Sequence, residues 1–311
     1  MQSYGFTTIS TDSYRLIVGF QGTMAQAQSA FHVTVNNYSN AHGSFHAPAN
    51  SPTLPANVAP YVASITGLDN IAHYTHTPIA ARGSKGNTTS SNSVSNSVAC
   101  PPAGSAAQFN TYGYTTYTPS QITSAYNLGP ALQQKYKGEG QTVGVIELSD
   151  YRSQDVQAYT TCFGGSTVPI SKKSVSDGTF TAGIDDGTRE AELDMELILS
   201  TAPHLAGLNV YEAPNTSAGS LLAWDKAIAP STDSVNRGTN DTASVLSTSW
   251  STCEASLNSA TVNQENSLFE IAAAQGQTIL AASGDYGSNN GDDLGPNCTS
   301  NATPKVLGVQ D

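Results

Sequence analysis

The chain has 311 residues, only 12 % of them charged, and a formal net charge of −12. Lysine and arginine together number 12, too few for the basic surface that nucleic acid or an anionic membrane would require. No run of 18 apolar residues occurs, so no membrane span is expected, and the N-terminus lacks the basic and apolar regions of a secretory signal. The scarcity of ionisable groups limits charge repulsion at low pH, which suits an acidic medium.

Residues 1–70 form a small amphipathic segment for which the sequence predicts two helices. Apolar side chains from Thr23 to Tyr38 fall near helical spacing. The stretch "LPANVAPYVASITGLDN" (54–70) predicts a second short helix, because it begins with proline and ends near glycine.

Residues 71–117 predict a linker, because "ARGSKGNTTSSNSVSNSVA" contains almost no large apolar side chain and cannot bury a core. Such a stretch is exposed and easily cleaved. We therefore expect a processing site between about His73 and Tyr114.

Residues 118–311 predict an α/β domain with a parallel sheet covered by helices on both faces, because strand-like and helix-like stretches alternate. The predicted strands are 142–148, 206–213, 243–250 and 277–285. The predicted helices are 153–164, 188–200, 217–229 and 263–276. In such sheets ligands bind beyond the carboxyl ends of the strands, where Glu147, Trp250 and Asp285 fall.

The predicted helix at 188–200 is strongly acidic and carries Glu190 and Asp194 four residues apart, hence on one face. Taken alone, this pattern is more typical of a solvated acidic face near a helix N-terminus, where the macrodipole favours carboxylates. If the two carboxyls are partly buried, however, one pKa rises and the pair can serve as a general acid or base. Taken alone, Asp285 in a Gly-rich turn and Trp250 at a strand end also have plain structural explanations.

The numbers and positions of cysteine and histidine limit the kinds of metal site and catalytic triad that the sequence can form. Four cysteines without a C-x-x-C pair favour two disulfides, an oxidising compartment and no metal site. Of the three pairings that remain open, we favour Cys100–Cys162 and Cys253–Cys298. Among the six histidines only His204 lies beyond the linker, so a histidine-based triad there would have to use it.

Several motifs in this order resemble the sedolisins, the serine-carboxyl peptidases. The stretch "GTREAELDMELILSTAPHLAGLNVYEAPNT" resembles the E-x-x-x-D helix of that family and the strand that follows it. "YTPSQITSAYNL" resembles the start of the mature enzyme, and "SVLSTSW" and "ILAASGDYGS" resemble its tryptophan and oxyanion-aspartate motifs. The two stretches at 20–38 and 54–70 are similar to its activation prosegment, and the cysteine contexts to its bacterial secreted members.

The resemblance implies a subtilisin-like fold, preceded by part of an α+β prosegment that acts as an intramolecular inhibitor. It implies an acid-acting endopeptidase with a Ser-Glu-Asp triad, in which Glu190 is the general base and Asp194 orients it and shares its proton. Asp285 would donate a hydrogen bond in the oxyanion hole and must therefore be protonated. Glu147 and Trp250 would extend the network behind the pair. The substrate would be a protein or peptide, and the location extracellular.

The family motif G-T-S-x-S-x-P, which holds the nucleophile, does not occur in this sequence. We therefore expect a central fragment that is inactive alone, with the serine and the calcium ligands of the family beyond its end. The alternative is a truncated, non-catalytic relic of the same fold that binds peptides or inhibits. A weaker alternative is a hydrolase that uses His204.

Overall fold

A computed structural model of the chain describes residues 1–11, 14–40, 43–75, 100, 117–175, 181–228, 243–252, 257–283 and 309–310. No helix among these residues is long and apolar enough to cross a bilayer.

The N-terminal unit combines two small antiparallel sheets with one helix. Its elements are β1 (Thr7–Thr11), β2 (Val18–Gln21), α1 (Met24–Phe31), β3 (Val35–Asn40) and β4 (Gly43–Pro48). β1 pairs with β2, and β3 pairs with β4. Phe6, Phe31, Val33 and Leu68 are among the buried residues that form its core, which agrees with an α+β prosegment.

The predicted helix over Thr23 to Tyr38 is correct only in its first half. Thr23 begins α1 with a capping box to Gln26. The helix ends at Phe31 because His32 adopts a left-handed conformation with φ of 50°. β-Branched residues follow and favour the extended backbone of β3.

The second predicted helix, at 54–70, is wrong. The structure has only a 3₁₀ turn over Ala59–Tyr61 there. Pro60 lies within this turn, and proline removes a helical N–H and clashes with the carbonyl four residues earlier.

The larger unit is built on a five-stranded parallel sheet. Its strands are β5 (Thr142–Glu147), β6 (Ile170–Ser174), β7 (Gly207–Glu212), β8 (Val245–Thr248) and β10 (Thr278–Ala281). Their order across the sheet is β10-β8-β5-β7-β6. Its helices are α2 (Pro119–Ala125), α3 (Gly129–Gln133), α4 (Ser153–Phe163), α5 (Thr188–Thr201), α6 (Ser217–Ile228) and α7 (Ser259–Gln275). Two short strands, β9 (Ser251–Thr252) and β11 (Val309–Gln310), pair antiparallel.

Helices cover both faces of the sheet, as predicted. On β5, Val145 belongs to a core with Met195 and Leu199 of α5. Its neighbour Ile146 points to the opposite face and belongs to a core with residues of α6 and α7. The parallel sheet with two covered faces agrees with the predicted subtilisin-like α/β class.

The predicted elements differ from the observed ones mainly at polar positions. β6 was not predicted, because "ISKKS" is an edge strand without an apolar run. α7 begins at Ser259, four residues before the predicted start, because the side chain of Asn258 caps it by accepting a hydrogen bond from the Thr261 N–H.

Substitution of Gly144 tests how closely side chains pack against the central strand, β5. A Cβ there would lie 2.7 Å from both Leu246 Cδ2 and Tyr211 Cε2. We expect Gly144→Ala to lower the free energy of unfolding by about 1–3 kcal/mol through overpacking. The control Gly129→Ala meets no atom within 4 Å and should leave stability within about 0.5 kcal/mol of wild type.

Urea unfolding followed by tryptophan emission measures both variants, because the two tryptophans of the chain, Trp224 and Trp250, are buried. Equal stability of the Gly144→Ala and Gly129→Ala variants would contradict this account of the packing.

Candidate active site

Side-chain alternation on β5 sets the position of Glu147. Val145 faces α5, and Glu147, two residues later, lies on the same face at the carboxyl end of the strand. Its side chain is fully buried. Because α5 covers this face, its N-terminal half brings Glu190 and Asp194 into the neighbourhood of Glu147.

The end of β8 supplies two hydrogen bonds to this group of carboxyls. Trp250 Nε1 donates to Glu147 Oε2 at 2.9 Å. Ser249 Oγ donates to Asp194 Oδ1 at 2.8 Å. β8 pairs with β5, so these two residues follow the strand next to Glu147. The carboxyls and the tryptophan predicted from sequence thus lie close together at the carboxyl end of the parallel strands.

Burial makes these carboxyls hold protons more tightly than usual. It raises the pKa of Asp194 to about 6, while the Ser249 hydroxyl works in the opposite direction. It also raises the pKa of Glu147, and the negative charges of Asp194 and Glu190 add to the effect against the Trp250 hydrogen bond. Glu147 Oε1 and Asp194 Oδ2 are buried and accept no hydrogen bond from any described residue. The cluster can therefore retain at least one proton in weak acid.

The first turn of α5 is fixed by a hydrogen-bond network around Asp185. Ser149 Oγ donates to Asp185 Oδ1 at 2.6 Å, and the Gly187 N–H donates to the same oxygen at 2.9 Å. Gly187 also lies against the Trp250 ring, where a Cβ would come 2.4 Å from Cη2. The absence of a side chain at Gly187 thus allows Trp250 to reach Glu147.

A second charged group, which sequence reasoning missed, lies beside the first. Glu212 ends β7, is paired in register with Glu147 and is fully buried. Burial raises the pKa of Glu212 to about 7, although Lys172 Nζ lies 2.7 Å from its Oε2. Lys172 also binds Asp150 at 2.6 Å and lowers the pKa of that carboxyl against the effect of burial. The strand-end position of Glu212, matching that of Glu147, was the available signal.

His204 lies away from this edge of the sheet. It precedes β7, and its Nδ1 lies 2.8 Å from Glu139 Oε1, a residue that precedes β5. The two side chains are therefore at the amino ends of the strands and are separated from Glu147 by the length of β5, about 16 Å at about 3.3 Å per residue. The structure thus places His204 beside Glu139 and away from the carboxyl cluster, and the hydrolase interpretation based on His204 stays a separate hypothesis.

The remaining predicted site residues divide in two groups. Cys100 and Cys162 are joined by a disulfide, as predicted. Asp285, Cys253 and Cys298 lie outside the described residues. Within the described ranges, no group of three His, Cys, Asp or Glu side chains could hold a metal ion.

Gly187→Ala tests the contact between the helix start and Trp250. Because the new Cβ would overlap the indole, we expect the ring to move and its hydrogen bond to Glu147 to weaken. Tryptophan emission should shift to longer wavelength and acrylamide quenching should increase. The control Gly183→Ala meets no atom within 4 Å and should leave both signals unchanged. Identical emission of the two variants would show that the ring does not depend on Gly187.

Comparison with known proteins agrees with the two-part architecture. Residues 1–71 match the family model described as Pro-kumamolisin, activation domain. Kumamolisin of Bacillus sp. (strain MN-32) is 29 % identical over 277 residues, which cover 88 % of this chain and 45 % of that protein. Xanthomonalisin of Xanthomonas sp. (strain T-22) is 27 % identical over 92 % of this chain and 33 % of its own length.

Sedolisin of Pseudomonas sp. (strain 101) is 26 % identical over 92 % of this chain and 44 % of its own length. The chain therefore spans less than half the length of each of these relatives. The activation-domain match over residues 1–71 and the three relatives support a sedolisin-family peptidase with an activation prosegment at its N-terminus.

Proposed function

We propose that the chain provides the prosegment and the acid–base half of an active site in an acid-acting serine-type endopeptidase. The observation that carries this proposal is the group formed by the buried carboxyls of Glu147 and Glu190 and the half-buried carboxyl of Asp194 at the carboxyl end of a parallel sheet. Ligands bind at that edge in open α/β sheets. A peptidase reaction needs a base there, and these carboxyls can supply it.

In the proposed reaction, Glu190 accepts the proton of a serine hydroxyl as that oxygen attacks the scissile carbonyl. Asp194 holds the shared proton of the pair, and its raised pKa allows it to do so in weak acid. Glu190 then gives its proton to the leaving amine, and water hydrolyses the acyl-enzyme by the same steps in reverse order. Asp285, protonated, would donate to the developing oxyanion.

In this proposal, the serine and the calcium ligands that the family resemblance implies would lie in the part of the relatives' length that this sequence does not span. We include both in the proposal, together with secretion. The prosegment would inhibit the enzyme until it is cleaved, and its contact with the larger unit supports this role, because the Tyr14 hydroxyl donates a hydrogen bond to Gln275 Oε1 of α7 at 3.0 Å.

Substitution of the proposed base tests the proposal in the protein produced from its complete gene. Glu190→Gln should lower kcat/KM on a denatured protein at pH 4 by about 10²–10⁴-fold, the usual contribution of a general base. Glu192→Gln is the matched control on the same helix, since Glu192 accepts a hydrogen bond from the Arg152 N–H instead. It should retain activity within about twofold.

Loss of activity in both variants, or in neither, would contradict the role of Glu190. An inactive wild-type protein would instead favour the non-catalytic relic.

The raised pKa values also predict how stability depends on pH. The folded protein holds protons on Asp194 up to about pH 6 and on Glu212 up to about pH 7, whereas the unfolded chain releases them near pH 4. Stability should therefore be fully present below about pH 4 and fall as pH rises through 6 and 7. The pKa of Glu139 is lowered to about 2 by the Lys137 N–H and His204. Its contribution to stability is therefore lost as pH falls below about 4.5, the opposite direction to that of Asp194 and Glu212.

Chemical unfolding at pH 4 and pH 7 measures this slope. Asp194→Asn should reduce the difference between the free energies of unfolding at pH 4 and pH 7 by on the order of 3 kcal/mol, which corresponds to a two-unit pKa shift of one carboxyl. The exposed control Glu270→Gln should leave the slope unchanged. Stability that rises from pH 4 to pH 7 would contradict the assignment.

A further inference from the structure

The residues that follow the matched activation domain are buried in the larger unit. Ala72 and Tyr74 are each only 2 % exposed. Tyr74 belongs to the same core cluster as Trp224 of α6 and Leu268 of α7. The start of the predicted linker is therefore seated on the peptidase-like unit.

The main chain of this segment pairs with β9 through a single antiparallel bridge. The Thr75 N–H donates to Ser251 O at 2.7 Å, and the Ser251 N–H donates to Thr75 O at 2.9 Å. Ser251 lies two residues after Ser249, which binds Asp194. Strand addition beside the carboxyl cluster is a general way to hold an extended peptide irrespective of its sequence.

The side chain of Asn215 binds the main chain of Tyr74, the residue before Thr75. The Tyr74 N–H donates to Asn215 Oδ1 at 2.8 Å, and Asn215 Nδ2 donates to Tyr74 O at 2.7 Å. Both groups exist in any residue except proline, so this contact too is independent of the side chain.

The side chain of Tyr74, by contrast, is recognised specifically. Its ring fills an apolar pocket between α6 and α7. Its hydroxyl donates to Glu265 Oε1 at 3.3 Å, and Glu265 is only 3 % exposed. An acceptor at the bottom of an apolar pocket suits a phenol better than an aliphatic side chain.

We propose that the pocket formed by Asn215, Glu265 and the core between α6 and α7 is a substrate subsite selective for tyrosine. It would bind the substrate residue that precedes the one paired with Ser251. Tyr74 occupies this subsite before activation, and a substrate tyrosine takes its place afterwards. This inference rests on the proposed peptidase function.

The physical reason is that departure of the prosegment removes partners from groups built to bind a peptide. Asn215 and Ser251 lose main-chain hydrogen bonds, and Glu265 loses its bond to the phenol. A substrate tyrosine restores all of them. Phenylalanine fills the pocket without the hydroxyl contact, and alanine leaves it empty.

Peptide binding tests the subsite without requiring catalysis. The Tyr74→Ala chain lacks the ring that fills the apolar part of the subsite, so a peptide has to displace only the main-chain hydrogen bonds to Asn215 and Ser251. This variant is titrated at pH 5 with a labelled peptide of residues 70–77 and with versions carrying Phe, Lys or Ala in place of Tyr74. We expect the Tyr peptide to bind at least about tenfold more tightly than the Ala peptide, since burial of a ring accounts for such a factor. The Phe peptide should be about two- to tenfold weaker than the Tyr peptide.

Two further variants separate the contacts. Glu265→Leu in the Tyr74→Ala chain should make the Tyr and Phe peptides bind alike, whereas Asn215→Ala should weaken every peptide by a similar factor. The control Tyr61→Ala removes a tyrosine that is 87 % exposed and should bind no better than wild type, whose pocket is filled. Equal binding of the Tyr, Lys and Ala peptides, or absence of binding by a folded Tyr74→Ala chain, would overturn the proposal.

If Tyr74→Ala does not fold, Tyr74→Phe replaces it, because it keeps the ring and loses only the bond to Glu265. Hydrogen exchange at Thr75 and Ser251 should then be about two- to tenfold faster than in wild type. Unchanged exchange would overturn the proposal as well. Cleavage without a preference for tyrosine at this position would refute the subsite alone, and absence of cleavage would refute the peptidase function alone.

Discussion

The burial of the Glu147 carboxyl is the constraint on which the rest of the site depends. An ionised carboxylate in this position would be costly, because burial and the charges of Asp194 and Glu190 both oppose it. Trp250 provides one hydrogen bond, and the bond requires Gly187 at the start of α5 to be without a side chain. The helix start, the strand end and the tryptophan are thus mutually dependent, which explains why the acidic helix lies where it does.

This dependence also explains how an acidic helix face can be useful. Glu190 and Asp194 on a solvated helix would repel each other weakly and do little else. Against the carboxyl end of the sheet they share a site with Glu147, and burial raises the pKa values of both Asp194 and Glu147. A carboxyl that keeps its proton in weak acid can assist a neighbouring carboxylate that acts as the base. Such a pair does not need a histidine.

Much of the larger unit could be predicted from sequence, because apolar strands such as β5 and β7 and long helices such as α5 have clear patterns. The N-terminal unit was harder, since His32 in a left-handed conformation and Pro60 in a 3₁₀ turn override helical spacing that extends past them. In the site, residue types at strand ends revealed Glu147 and Trp250. The ion pair of Lys172 with Glu212 and the pocket around Tyr74 join residues distant in sequence, and no local pattern encodes such contacts.

The central claim is that a carboxyl in the cluster keeps its proton in weak acid. Carbon-detected NMR titration of the aspartate side chains measures this directly. The account predicts a resonance with a midpoint near pH 6 that disappears in the Asp194→Asn variant. If every aspartate side chain among the described residues titrates below about pH 4.5, the proton is not held, and the account is wrong.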